Sequence, residues 1–334
     1  MKSMVVRSPK SPLVLEERPL VEPGRGEIRI KVRACGVCHS DHFVTDGLWP
    51  GLVLPRVPGH EVAGVVDALG EATTRFKVGD RVGIGWHGGH DGTCDVCLTG
   101  RFVYCRNQRI TGISFDGGYQ EHLVAPEIAV APLPDGLDFA EAAPLMCAGV
   151  TTFNALRHSG ARPGDLVGIQ GLGGLGHLGV QYARAMGFEV AAISRGTDKE
   201  AFARKLGAHH HIDSGRADFA AAMAALGGAK VILATAPHAK SIAALVGGLG
   251  LEGCLMIVAA PFEPLEIGAL DLLGRGLRIQ GWASGSATDS ADAAAFAVKH
   301  GVRPMIERFP LVEAGRAVEA MMRGTVRFRA VLEV

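Results

Sequence analysis

The chain has 334 residues, 48% hydrophobic and 20% charged, enough for two domain-sized cores and unlike the composition of a disordered chain. Lys plus Arg and Asp plus Glu both number 34, so no net charge draws it toward nucleic acid or an anionic membrane, and a small-molecule partner is expected. The first 20 residues contain no apolar core of signal-peptide length and no later run reaches the roughly 20 apolar residues of a membrane span, which predicts a cytoplasmic protein.

From about residue 26 to 130 short β runs alternate with glycine and proline, as in EIRIKVRACG, where Ile28, Ile30 and Val32 alternate with polar neighbours. This β-rich stretch carries Cys38-His39-Ser40-Asp41, then Gly59-His60-Glu61, then Asp91-x-x-Cys94-x-x-Cys97 with Cys105 after seven further residues. Seven cysteines without a secretion signal read as metal ligands or reduced thiols rather than disulfides. Near Leu137 the texture changes to an alanine-rich helical stretch that contains Met146-Cys147-Ala148-Gly149 and ends at Gly160. Cys38, His60 and Cys147 together supply two thiolates and an imidazole, a set that leaves zinc an open fourth position for a substrate oxygen.

Strands are then predicted at 165–170, 189–194, 230–235, 254–258 and 277–282, with helices between most of them, and this alternation implies a parallel sheet. The first ends in Gly171-Leu172-Gly173-Gly174-Leu175-Gly176 and opens into a helical run, the strand–turn–helix context in which such a fingerprint binds a dinucleotide pyrophosphate. The second ends in Ser194, where an NAD-preferring site normally carries an acid; with Arg195 and Lys199 close by, NADP(H) is expected in preference to NAD(H), unless both cations are solvated surface charges. His209, His210 and His211 fall where a further strand should begin, and no function is assigned to them. The final VRFRAVLEV reads as a strand returning to the first domain.

GVCHSD, PGHE, the late cysteine and GLGGLG, in this order, resemble the zinc-containing alcohol dehydrogenases of the medium-chain dehydrogenase/reductase superfamily, over essentially the whole chain. The resemblance implies an α/β protein: a GroES-like β-rich catalytic domain of residues 1–147 and 289–334 and a doubly wound Rossmann domain of residues 148–288. It implies Cys38, His60 and Cys147 as ligands of a catalytic zinc, Glu61 as a carboxylate able to approach the metal, and Asp41 as the group orienting His60. Asp91, Cys94, Cys97 and Cys105 resemble the family's structural zinc lobe, with Asp91 where the family has a fourth cysteine; a carboxylate is a possible but harder ligand, and a metal-free loop is the alternative.

The same resemblance places Ser40 in a hydroxyl relay for the proton. Phe43 stands where the relay often ends in a histidine, and His42 lies one residue earlier. His39 and Arg329 would approach the pyrophosphate, and Thr151 the nicotinamide; a strand-edge surface cation is the alternative for Arg329. Trp49 and Trp86 would line an apolar cleft, with core packing as the alternative for each.

The implied activity is hydride transfer between nicotinamide and a primary alcohol or aldehyde, with zinc as Lewis acid, in a homodimer or homotetramer. A zinc-free quinone or enone reductase should lack the three ligands. A sugar or polyol dehydrogenase stays open, as does a non-catalytic NADP(H)-binding redox sensor.

Overall fold

The computed structural model describes residues 1–215 and 219–334. The chain folds as two units, one of Met1–Val150, Gly285–Lys299 and Arg303–Val334, the other of Thr151–Ser284 and His300–Val302. Among the described residues no helix is long and apolar enough to cross a membrane.

The first unit is built on a seven-stranded sheet. Its centre is the strand Glu27–Gly36, in which Ile28, Ile30 and Val32 are buried as their alternation requires. The intervening Arg29 is buried too, because its guanidinium is held by Asp67 and Glu22. Strands Arg329–Glu333, Val62–Leu69 and His122–Pro126 all pair antiparallel with this strand.

Register brings distant sequence to one end of that sheet. Cys35 pairs with Val62 and Gly36 with Val331, so the chain beyond Gly36, the residues preceding Val62 and the start of the last strand converge. Gly36 is required there: a Cβ would lie 2.0 Å from a Glu61 carboxylate oxygen.

The predicted alanine-rich helix is three pieces, an α-helix Phe139–Pro144, a π-helical turn Leu145–Gly149 and an α-helix Val150–Arg157. Proline has no N–H, and Pro144 stands at the junction of the first two. The π turn carries Cys147 and packs on the strand Arg81–Ile84 and the residue after it; a Cβ at Gly83 would lie 2.5 Å from the Met146 sulfur, and one at Gly85 2.2 Å from the Met146 carbonyl oxygen.

The second unit holds a six-stranded parallel sheet, in the order His210–Asp213, Glu189–Ser194, Leu166–Gln170, Ala229–Ala234, Leu249–Ile257, Arg278–Gly281. Numbered along the chain this is 3-2-1-4-5-6, the doubly wound arrangement whose ligand crevice lies beyond the carboxyl ends of the first strands. The strand expected at 254–258 begins earlier, at Leu249, in a segment whose glycines Gly250 and Gly253 weaken any reading from propensity.

Candidate active site

Cys38, His60, Glu61 and Cys147 come together in the first unit, their ligand atoms all within 4.8 Å of one another. The two Sγ atoms are 4.0 Å apart. Asp41 orients the imidazole: its Oδ1 lies 3.0 Å from His60 Nδ1, both side chains almost wholly buried, while its Oδ2 accepts the backbone N–H of Cys38 at 2.9 Å. With Nδ1 so engaged, His60 Nε2 is buried and has no hydrogen-bond partner. A buried imidazole nitrogen left unpaired beside two thiols fits a soft-to-borderline divalent cation, as the donor set itself does.

The charges agree with the geometry. The Cys147 thiol, as hydrogen-bond donor, and the nearby His60 charge hold Cys38 well below the usual thiol range against the effect of burial; that same hydrogen bond, with burial, pushes Cys147 well above it. Burial opposes a charge on His60, but Asp41 and Cys38 outweigh it and raise its pKa well above that of a free imidazole.

Arg329 is not a surface cation. It is 4% exposed, and its guanidinium donates to the Glu61 carboxylate, which burial pushes up to about 7 even with the guanidinium charge pulling it down. The alignment of Val331 with Gly36 accounts for this meeting, and nothing in the sequence around Arg329 announces Glu61 as its partner.

Around His60 stand three half-exposed rings. Trp86 is edge-on to the His60 imidazole at 5.0 Å, Trp49 to Trp86 at 5.6 Å and Phe43 to Trp49 at 5.5 Å. Trp49, Trp86 and Phe43 also pack on a small core of Val6, Val44, Ile110 and Ile113, so lining and packing are both served. Ser40 is half-buried on the short 3-10 turn His39–Asp41. His42 Nδ1 lies 2.5 Å from the His39 carbonyl oxygen, and the two rings meet edge-to-face at 4.8 Å.

Asp91, Cys94, Cys97 and Cys105 form a second cluster in the same unit, again with ligand atoms within 4.8 Å. The Asp91 Oδ1 accepts the N–H groups of Thr93 and Cys94 at 2.9 and 3.0 Å and Oδ2 accepts the Asn107 amide at 2.7 Å, which hold the carboxyl well below its ordinary range. Backbone N–H groups of Arg106 and Cys97 likewise lower Cys94.

In the second unit the turn from Gly171 to Gly176 follows the strand Leu166–Gln170, and the helix Gly176–Ala185 begins at its end. Gly171 has φ +88°, and a Cβ on Gly176 would lie 1.7 Å from the Gly171 carbonyl oxygen, whereas a Cβ on Gly173 meets nothing within 4 Å. The outer glycines close the turn, and Gly173 with its neighbours Gly174 and Leu175 leaves backbone open to an approaching group. Ser194 is buried, Arg195 exposed and Lys199 half-exposed beyond the next strand; Thr151 is buried near the start of the helix Val150–Arg157.

Residues 24–135 match the family described as the alcohol dehydrogenase GroES-like domain, and residues 174–299 match the family described as zinc-binding dehydrogenase. The chain is 51% identical over 331 residues to alcohol dehydrogenase patD of Penicillium expansum, covering 99% of this chain and 97% of that one. It is 38% identical to an alcohol dehydrogenase of Geobacillus stearothermophilus, with all of both chains covered. Among solved structures, a cinnamyl alcohol dehydrogenase from Sorghum bicolor superposes with a TM-score of 0.90 at 34% identity, over 99% of this chain and 97% of that one. The chain belongs to the zinc-containing alcohol dehydrogenases of the medium-chain dehydrogenase/reductase superfamily. It is an oxidoreductase that uses a nicotinamide cofactor and acts on small-molecule alcohols or aldehydes.

Proposed function

We propose that the chain interconverts primary alcohols and aldehydes with NADP(H), at a zinc ion held by Cys38, His60 and Cys147. The observation that carries this reading is the buried, unpartnered Nε2 of His60 beside two thiols. Zinc bound there would supply Lewis acidity toward an alcohol or carbonyl oxygen.

The chain's own groups do the rest. Asp41 engages Nδ1, so that in the neutral ring a metal would require, the lone pair of His60 Nε2 would face the thiols. Two thiolates and the carboxylates of Glu61 and Asp41 outweigh the single Arg329 guanidinium, so a divalent cation would offset most of the negative charge held in a site so deeply buried. Phe43, Trp49 and Trp86 present an apolar wall that excludes water and offers few partners for a polyol, which favours an aldehyde over a sugar. Ser40 is assigned to accept the substrate proton and His42 to carry it outward, since Phe43 has no proton to move. His39 and Thr151, with the Gly171–Gly176 turn, are assigned to the cofactor, Ser194, Arg195 and Lys199 to its 2′-phosphate, and Arg329 to both Glu61 and the pyrophosphate.

The second cluster is assigned to a structural zinc with Asp91 as its fourth ligand. The catalytic domain is read as residues 1–147 and 289–334 and the cofactor domain as 148–288. The parallel sheet ends in the strand Arg278–Gly281, with Leu270, Leu273 and Ile279 exposed nearby, which supports a homodimer or homotetramer. Metal analysis together with NADPH consumption over a panel of aldehydes tests the reading. Zinc-free protein that turns over at the full rate, or no turnover of any aldehyde or primary alcohol, would overturn it.

A further inference from the structure

The segment Asp116-Gly117-Gly118-Tyr119-Gln120-Glu121-His122 has no assigned task, yet it reaches the site. Tyr119 is fully buried, and its hydroxyl donates to Asp41 Oδ2 at 2.8 Å. Asp41 is thus a three-donor carboxylate: Tyr119 O–H and Cys38 N–H on one oxygen, His60 Nδ1 on the other.

The segment's backbone is pinned to the strand-like run that leads into His60. Gly117 N–H donates to the Val57 carbonyl at 2.7 Å, Gly118 N–H to Gly59 at 2.9 Å and Tyr119 N–H to Pro58 at 3.1 Å. The ring lies over Gly59, where a Cβ would come within 2.4 Å of it and where φ is +100°. Tyr119 therefore touches the residue before His60 with its ring and the group behind His60 with its hydroxyl.

We propose that Tyr119 is a positioning residue for the metal site: its hydroxyl fixes the rotamer of Asp41, and through Asp41 the direction in which His60 presents Nε2. The proposal rests on the reading that Cys38, His60 and Cys147 hold zinc. A carboxylate with one donor fewer can turn about its Cα–Cβ bond, and the imidazole turns with it; loss of such outer partners costs roughly 10-fold to 100-fold in metal affinity.

Tyr119→Phe separates the two contacts, because it keeps the ring over Gly59 and removes only the hydroxyl. The full-length protein, reconstituted with zinc, is titrated with a chelator, and zinc per chain is followed for wild type, Tyr119→Phe, Asp41→Asn and the double variant. Cys38→Ser identifies the share belonging to this site. We expect zinc at this site to be held about tenfold more weakly in Tyr119→Phe, with no further loss when the same change is made in Asp41→Asn. The metal-free protein should stay folded, with its melting temperature lowered only as the loss of one buried hydrogen bond requires, and kcat should fall with KM for the dinucleotide unchanged.

Zinc retention equal to wild type overturns the proposal, as do additive losses in the double variant or a phenylalanine protein that fails to fold, which would make the hydroxyl a folding element only. If Cys38→Ser keeps the full zinc content, the reading of the site itself has failed. That result appears before any Tyr119 variant is made, and the proposal falls with it.

Discussion

Ser194 and His211 share a hydrogen bond of 2.9 Å between Oγ and Nε2, across neighbouring parallel strands. The serine that stands in place of a ribose-binding acid is thus held by an imidazole from the next strand. Two residues after His211, Asp213 brings a carboxylate to the same loop, where its Oδ1 accepts the N–H groups of Gly196 and Gly215 at 2.8 and 2.9 Å. On the NADP(H) reading, Arg195 and Lys199 are the cations that would pair with a 2′-phosphate. We predict that Arg195→Ala lowers kcat/KM for NADP(H) by about tenfold or more, as expected for a charge-assisted hydrogen bond of roughly 1.5–3 kcal/mol, with little effect on NAD(H). Ser194→Asp should move the preference toward NAD(H). Wild-type protein that uses NAD(H) as well as NADP(H) would show both cations to be solvated.

Cys38→Ser or His60→Ala is expected to remove catalysis and one zinc while leaving a folded protein that binds dinucleotide. The thiols and imidazole belong to the first unit, the Gly171–Gly176 turn to the second. Metal content, dinucleotide-induced fluorescence change and turnover on the same preparation decide the matter; near-wild-type turnover in either variant would count against the ligand assignment.

Asp91 has two roles that a cysteine would split. Its carboxylate caps the turn through Thr93 and Cys94, and its place in the cluster would make it the fourth ligand of a bound zinc. Asp91→Cys should raise zinc retention and the melting temperature of the zinc-loaded protein, since thiolate is the softer ligand, and lower the melting temperature of the zinc-free form, since the cap is lost. Turnover should barely change. If neither melting temperature nor metal content responds, the lobe is a metal-free loop.

His87 is 2% exposed, with Nε2 3.3 Å from His90 Nδ1 and a buried Nδ1 that has no hydrogen-bond partner. Burial, and after it the charge of His90, brings its pKa down to about 4 from the ordinary 6.5. Between those values the unfolded chain binds a proton that the folded chain refuses. The stability present above pH 6.5 is therefore lost progressively as pH falls toward 4, by up to roughly 3 kcal/mol. Urea unfolding of chelator-treated wild type and His87→Gln at pH 7 and pH 5 measures this; the variant should lose less on acidification, and equal losses would refute the assignment.

Much of the fold is legible in local pattern. The parallel strands show as apolar runs bounded by glycine, and the turn after Gln170 shows because strand, glycines and helix occur in that order. The site is legible in its ligand types, in Asp41 and Glu61, and in Trp49 and Trp86. What stays hidden depends on register: Arg329 reaches Glu61 because Val331 lies opposite Gly36, and Tyr119 reaches Asp41 because a glycine pair lets its segment lie on Gly59. The π-helical turn around Cys147 is hidden for another reason, since its alanine, leucine and glycine composition is equally that of an ordinary α-helix.

Glu61 and Arg329 are separated by 268 residues. During synthesis the carboxylate, the thiols of Cys38 and Cys147 and the imidazole all leave the ribosome before their counter-charge does. At ordinary elongation rates the interval between Glu61 and Arg329 is on the order of tens of seconds. Through that interval the half-made pocket has neither the last strand to close it nor the guanidinium to balance the Glu61 carboxylate.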